Sequence, residues 1–468
     1  MPFWTGNQDQ NVYTPNNVPT PNPTVFKESR LKYNNGVLQG VSDEGGNVVI
    51  SPSVSVLAFG AVGDGTTDDY AALQAAINHA QDNGLYLNFE SDKTYKVSSS
   101  LTFKHGQSST DSRKYHVRIR GNGATIYPVG GAVAIHIQPR CTYADRATGR
   151  GEADVDIRDV TVDGFFGAST AKALILGENG KWCSNFGWSE FYNITVSGFT
   201  ADHTVVEFIE ARHFVCSGLA VRAGTVSIAA NTAGSFCGDA LFEACEFSGS
   251  PTYPPLNITS NAAGSQVRGI SFSACDFYGA GTILSSSGAA AQVGDIWFDN
   301  GCQFDYPSAP VGHVAVSLSA TGSGTIFQIY FLGAYFAGFS AAAIYGVSSS
   351  TATIYQLTIA NCGLGAITGH ADTQNAALYF NSVESLSIRG CEFDTIDADQ
   401  LINIIGCTNV MIHDNKATRC TASNYLVTIG SSANNYSIIN NLANVATAVV
   451  NDYTTGSPTR QTANNLAI

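Results

Sequence analysis

A three-residue phrase recurs down this chain: a small residue or Cys, one variable residue, then an apolar anchor. It reads Val160-Thr161-Val162, Ile194-Thr195-Val196, Leu219-Ala220-Val221, Cys245-Glu246-Phe247 and Cys275-Asp276-Phe277. It continues as Cys302-Gln303-Phe304, Ala334-Tyr335-Phe336, Cys362-Gly363-Leu364 and Cys391-Glu392-Phe393, then fades through Asn415-Lys416-Ala417 and Asn441-Leu442-Ala443. Successive anchors lie 24 to 34 residues apart. Self-similarity at such a period marks a stacked solenoid. The phrase alternates inward and outward, which is strand periodicity. One phrase per coil predicts an all-β fold, a parallel β-helix of about 11 to 13 coils, right-handed because parallel crossovers take that hand.

The repeat overrides the two or three domains that 468 residues would otherwise suggest. Apolar residues make up 44% of the chain and charged ones 13%, which suits coils that bury several faces. So few charges leave little to shield the outer faces, which points to burial between subunits; that the assembly is a homotrimer is implied by the resemblance given below. The net charge is −14 with no basic run, which argues against a groove that tracks phosphates, so no nucleic-acid partner is expected. The apolar stretches are too short to span a bilayer, and the start has neither the basic nor the apolar region of a Sec signal. The 11 Cys, an odd number without close pairs, predict neither a disulfide framework nor a metal site. Five of them hold the same place in the phrase and read as small buried side chains.

Residues 1–50, with five Pro between Pro2 and Pro23, read as an extended segment, a tether or docking arm. The β-helix is expected over 51–453, with an irregular tail over 454–468. Residues 138–160 and 178–190, rich in charge and aromatics, read as loops thrown off early coils. Near the start, Val56-Leu57-Ala58-Phe59-Gly60-Ala61-Val62-Gly63-Asp64-Gly65 runs a strand into a glycine turn. Thr66 and Asp69 have capping-box spacing, and Tyr70, Leu73, Ala76, Ile77 and Ala80 share one helical face. A short helix at about 67–82 is predicted to close the open end of the first coil, where core and strand edge would otherwise meet water.

This segment resembles the opening motif of the pectate-lyase-like β-helix superfamily, and within it the chain is most similar to phage tailspikes and capsule depolymerases. The resemblance covers residues 56 to about 450 and implies fold more sharply than reaction. It implies a virion-tail protein acting outside the cell at the host surface, a bacterial surface polysaccharide as substrate, and attachment to a tail or baseplate protein through the N-terminal segment. No cofactor is implied.

Two outward rows follow from the phrase. They bring Arg222, Glu246, Asp276 with Tyr278, and Asp305 onto neighbouring coils, with mainly Ala, Ser and Gly around them. Cleaving a glycosidic bond requires one protonated carboxyl and one ionised carboxylate, so Glu246, Asp276 and Asp305 are the catalytic candidates. Arg222, Tyr278 and Tyr335 are the substrate-binding candidates, Arg222 for an acidic sugar and the tyrosines for sugar faces. A second cluster is His203, Glu207 and Glu210, beside Asp202 and His213. A third is Glu392, Asp394, Asp397 and Asp399. Three functions are compatible with these residues: a polysaccharide hydrolase, a polysaccharide lyase in which Arg222 and Tyr278 would act on a uronic acid, and a non-catalytic adhesin or structural fibre.

Overall fold

The computed structural model describes residues 31–34, 37–40, 53–143, 152–165, 170–200, 202–250, 252–306, 312–369, 375–420, 424–445, 448–454 and 460–467. The N-terminal arm lies mostly outside these residues. Its described part is an antiparallel pair, Leu31–Asn34 with Val37–Gly40, that joins the edge strand Ser53–Ser55.

From there the chain winds as a right-handed parallel β-helix. Each coil contributes three strands to three ladders. In one mid-chain coil these are a long strand, Gln266–Ser273, a short strand, Asp276–Tyr278, and a third strand, Thr282–Ser286. Neighbouring coils pair in parallel along each ladder. The third strands form a single parallel sheet of 13 strands, the broad sheet, at the upper end of the expected coil number. Between long and short strand the corner is a single residue with positive φ, such as Ala274 at 51°.

Stacking of like side chains fills the core. Phe242, Phe272, Phe298 and Phe331 stack with centroid spacings of 4.9, 4.9 and 5.0 Å. Phe247, Phe277, Phe304 and Phe336 form a second stack at 5.1, 4.6 and 4.8 Å. All eleven Cys are buried and free. Those of the phrase donate to carbonyls of the coil behind, as Cys302 Sγ does to Phe272 O at 3.3 Å. Late in the chain Asn replaces Cys there: Asn415 Oδ1 accepts from Cys391 N, and Asn441 Oδ1 from Asn415 N, at 2.9 and 3.1 Å.

The helix, α1, spans Tyr70–Asn83 and packs Leu73, Ala76, Ile77 and Ala80 onto the first coils. It begins three residues later than the expected 67, and the Thr66–Asp69 capping box does not form. Asp64 folds residues 64–67 into a turn by accepting from the N–H groups of Thr66 and Thr67 at 2.8 and 2.7 Å. Asp69 turns back instead to Val62 N and Gly63 N at 2.6 and 3.0 Å.

Two other expectations need correction. The described parts of 138–160 and 178–190 are largely strand, Val155–Asp163 and the 17-residue Lys181–Ser197. Their charges sit on outward positions and pair along and across the strands, as Arg158 does with Asp156 of its own strand at 2.6 Å and with Glu190 of the next coil. The tail after 453 is not wholly irregular either. Arg460–Ala463 and Leu466–Ala467 add a further coil. The signal was present, because Asn440-Asn441-Leu442-Ala443 recurs as Asn464-Asn465-Leu466-Ala467.

Candidate active site

The short strands are three residues long and flanked by buried residues, which fixes what they present. In Cys275-Asp276-Phe277-Tyr278, Cys275 and Phe277 are core, so Asp276 and Tyr278 must face out. Parallel in-register pairing then sets the rows. Ala220, Glu246, Asp276, Gln303, Tyr335 and Gly363 follow one another along the first. Ser248, Tyr278, Asp305, Ala337 and Gly365 follow along the second. Both rows are as the sequence predicted. Backbones of adjacent rungs lie about 4.8 Å apart, and Asp276 to Asp305, a diagonal, about 8 Å at the backbone.

Arg222 bounds this patch on one side, its Nε 3.7 Å from Glu246 Oε2. Ser248 Oγ donates to the other oxygen of Glu246 at 3.5 Å. Asp276 differs from its neighbours. Partial burial, and then the charge of Glu246 on the next rung, raise its pKa above the ordinary Asp value. The Tyr278 hydroxyl is likewise held in its protonated form, by burial and then by Asp276, Asp305 and Glu246. Among the described residues the carboxylates of Asp276 and Asp305 have no hydrogen-bond or ion-pair partner. Elsewhere outward acids are commonly neutralised: Asp239 by Arg212, Asp295 by Arg268 and Glu207 by Lys172.

On the far side Tyr335 lies across the next coil. A Cβ added to Gly363 would fall 2.8 Å from its ring, and one at Gly365 would fall 3.2 Å from its hydroxyl. The two glycines of Cys362-Gly363-Leu364-Gly365 therefore leave room for an exposed aromatic wall. That break in the phrase was the available signal, and it was read only as bland sequence.

The other candidates are held in separate contacts. His203 Nε2 is 2.8 Å from Ala171 O. Glu207 pairs with Lys172 at 2.8 Å. Glu210 is fully buried and receives Gly180 N and Thr232 N at 2.9 Å each. His213 faces Asp239, whose carboxylate Arg212 already binds. Asp202, an exposed residue, stands apart on the surface. In the third cluster Arg419 binds Asp394, Lys416 lies 3.9 Å from Glu392, and Asn375 donates to Asp399. Asp397 carries a bridge to Thr368 through its backbone. Among the described residues no group of His, Cys, Asp and Glu is arranged to hold a metal.

The sequence reading also passed over the long-strand face. There Trp297 and Tyr330 stack in parallel on the two coils that carry Asp305 and Tyr335.

No protein-family model and no curated protein sequence matches the chain. Solved structures do. The tailspike protein of E. coli bacteriophage HK620 is similar over 88% of this chain and 78% of its own, at 15% identity and a TM-score of 0.46. The catalytic unit of a GH87 alpha-1,3-glucanase from Streptomyces thermodiastaticus is similar over 92% and 71%, at 14% identity and 0.43. The mannuronan C-5 epimerase AlgE6 A-module of Azotobacter vinelandii is similar over 88% and 99%, at 13% identity and 0.44. These are low-identity likenesses between wound chains, and the chemistry of the present site is read from its own residues.

Proposed function

We propose that the chain is a depolymerase that hydrolyses glycosidic bonds of a bacterial surface polysaccharide, acting from a phage tail at the host surface. The observation that carries the reading is the row of carboxylates on three successive coils, Glu246, Asp276 and Asp305, of which Asp276 is pushed towards its protonated form. In this scheme Asp276 donates its proton to the leaving glycosidic oxygen. Glu246, on the adjacent rung and facing Arg222, attacks the anomeric carbon in a double displacement, which would retain the anomeric configuration. Water then releases the sugar, with Asp276 now taking the proton. Asp305, on the diagonal, keeps Tyr278 protonated as a donor to a sugar hydroxyl. Tyr335 supplies a face on which a ring can stack. The attachment to a phage tail rests on the resemblance to tailspikes, which the segment before residue 51 and the Ser/Ala/Gly-rich coils carry.

The lyase alternative asks for a base that gives up its proton and a cation free to neutralise a uronate. Tyr278 is shifted the opposite way, and Arg222 already lies against Glu246. Both features favour hydrolysis.

The test is purified protein against a panel of bacterial capsular polysaccharides, with products sized and their anomeric form read by NMR. Glu246→Gln and Asp276→Asn are close in shape to the native residues and lie outside the core. Each is expected to lower turnover by at least ~10²-fold with no loss of melting temperature. Two variants with wild-type turnover would remove the patch from the chemistry. Glycan binding without any shortening of the polymer would leave the adhesin.

A further inference from the structure

We infer that a groove on the long-strand face, around the corner from the acidic patch, is a second glycan site that holds an uncharged stretch of the polymer. The groove has a volume of about 880 Å³. Its floor is one outward row of the long-strand ladder, Tyr330, Thr358, Ser387, Met411 and Ser437, and Trp297 continues that row on the rung just before it. Six rungs at about 4.8 Å give a track of about 24 Å along the helix axis, long enough for a run of sugars.

Side-chain size along that row shapes the groove. Trp297 and Tyr330 stack 5.4 Å apart with planes 8° from parallel, both half-buried, so they stand as a rigid apolar wall. The following rungs drop to Thr358 and Ser387, and the step from ring to hydroxyl opens the trough. Met411, 52% exposed, lies further along as a second apolar contact. One side is lined by Gln356, Ser385, Asn409 and Asn435, all at positive φ between 53° and 58°. The Asn435 amide donates to Asn409 Oδ1, which aligns that side before any ligand arrives.

The chemistry on offer is specific. Among the described residues the hydroxyls of Thr358, Ser387 and Ser437 and the amide of Gln356 have no hydrogen-bond partner in the chain. They provide donors and acceptors side by side, as a sugar hydroxyl requires. Among the described residues no Asp, Glu, Lys, Arg or His lines the groove. A polyanion would find no counter-charge here and would meet a chain of net charge −14. Aromatic faces beside uncharged, paired donors and acceptors fit a neutral oligosaccharide. The groove starts on the coil of Tyr335, one coil from Asp305, so one polymer reaching both faces would turn the corner between them.

This inference rests on the glycan-acting reading but not on catalysis, so binding is measured with the Glu246→Gln variant, in which cleavage is expected to be lost. The probe is an array of neutral and of uronate-, sialate- or phosphate-bearing bacterial polysaccharides. Affinity for the bound members is then followed by tryptophan fluorescence and calorimetry. Binding to neutral members is expected, and Trp297→Ala should weaken it at least about tenfold. Ser387→Arg, which fills the trough and leaves the stack intact, should do the same and guards against a folding defect in Trp297→Ala. Binding confined to charged polymers, no binding at all, or binding that Ser387→Arg leaves unchanged would each overturn the inference. So would Ser387→Arg splitting an oligomer while glycan affinity holds, since the groove would then be a contact between copies. Loss of cleavage in Glu246→Gln with full neutral-glycan binding separates this site from the acidic patch.

Discussion

Glu210 has no exposed surface, and its two carboxylate oxygens receive backbone N–H groups from Gly180 and Thr232. Glu246 is partly exposed and faces one mobile guanidinium. The same residue type therefore serves structure at one place and is the proposed nucleophile at the other. Removing Glu210 would leave Gly180 N without its acceptor and Thr232 N with only Ser235 Oγ at 3.3 Å, at about 1–3 kcal/mol for a fully lost partner, and would empty a fully buried side-chain site. Glu210→Ala is accordingly expected to lower the unfolding free energy by roughly 3 kcal/mol or more, read as a fall in the denaturant midpoint. Turnover by the folded fraction should not change.

Asp276 makes an opposite demand on pH. Its pKa is raised on folding, so the folded state binds its proton more readily than the unfolded chain. Its contribution is therefore favourable at low pH and is lost as pH rises through the raised value. Melting curves of wild type and Asp276→Asn between about pH 4 and pH 8 should diverge upward in pH, with the Asn variant the more stable at the upper end. A proton donor with this shift also predicts activity that falls on the alkaline side. Equal melting temperatures at every pH would remove the repulsion with Glu246 from the account.

At the scale of elements, stacks matter more than individual side chains. Phe272 lies between Phe242 and Phe298, 4.9 Å from each, and its removal opens a cavity that neighbouring coils cannot close without shifting. Phe272→Ala is expected to cost about 3–5 kcal/mol, measured by chemical denaturation. The short-strand rows were legible in advance because Cys-x-Phe-x leaves no doubt about which residues face out. The long strands were not. A residue with positive φ interrupts them, Asp239, Asp295, Gln328 and Gln356 among others, and shifts the inward–outward alternation within one strand. That break, together with the plain appearance of Thr, Ser and Asn, hid the groove while the acids of the short strands stood out. The start of α1 was misplaced for a related reason. Three Asp side chains compete for nearby N–H groups, and spacing alone does not tell which one wins.

At the scale of the whole molecule, the broad sheet sets the expectation for assembly. Its outward positions read Asn257, Ile283, Ser317, Tyr345, Tyr379, Asn403 and Thr428 along one row. Thr259, Ser285, Ser319, Val347, Asn381 and Ile405 follow along the next. From Asn257 onward neither row carries a charge, although the chain has 60 charged residues by its counts of 23 basic and 37 acidic; Glu207, two rungs before Asn257 on the first row, is paired with Lys172. The face is flat, unlike the groove, and runs parallel to the helix axis, so three copies set side by side could each bury it against the others. We expect a homotrimer joined through this sheet, with a mass by light scattering about three times 49.2 kDa. Ser317→Lys, placed mid-face where its charge would be desolvated, should dissociate the trimer, whereas Ser387→Arg on the long-strand face should not. A monomer mass for the wild-type chain at micromolar concentration would rule out the assembly. A trimer unaffected by Ser317→Lys would move the contact to another face.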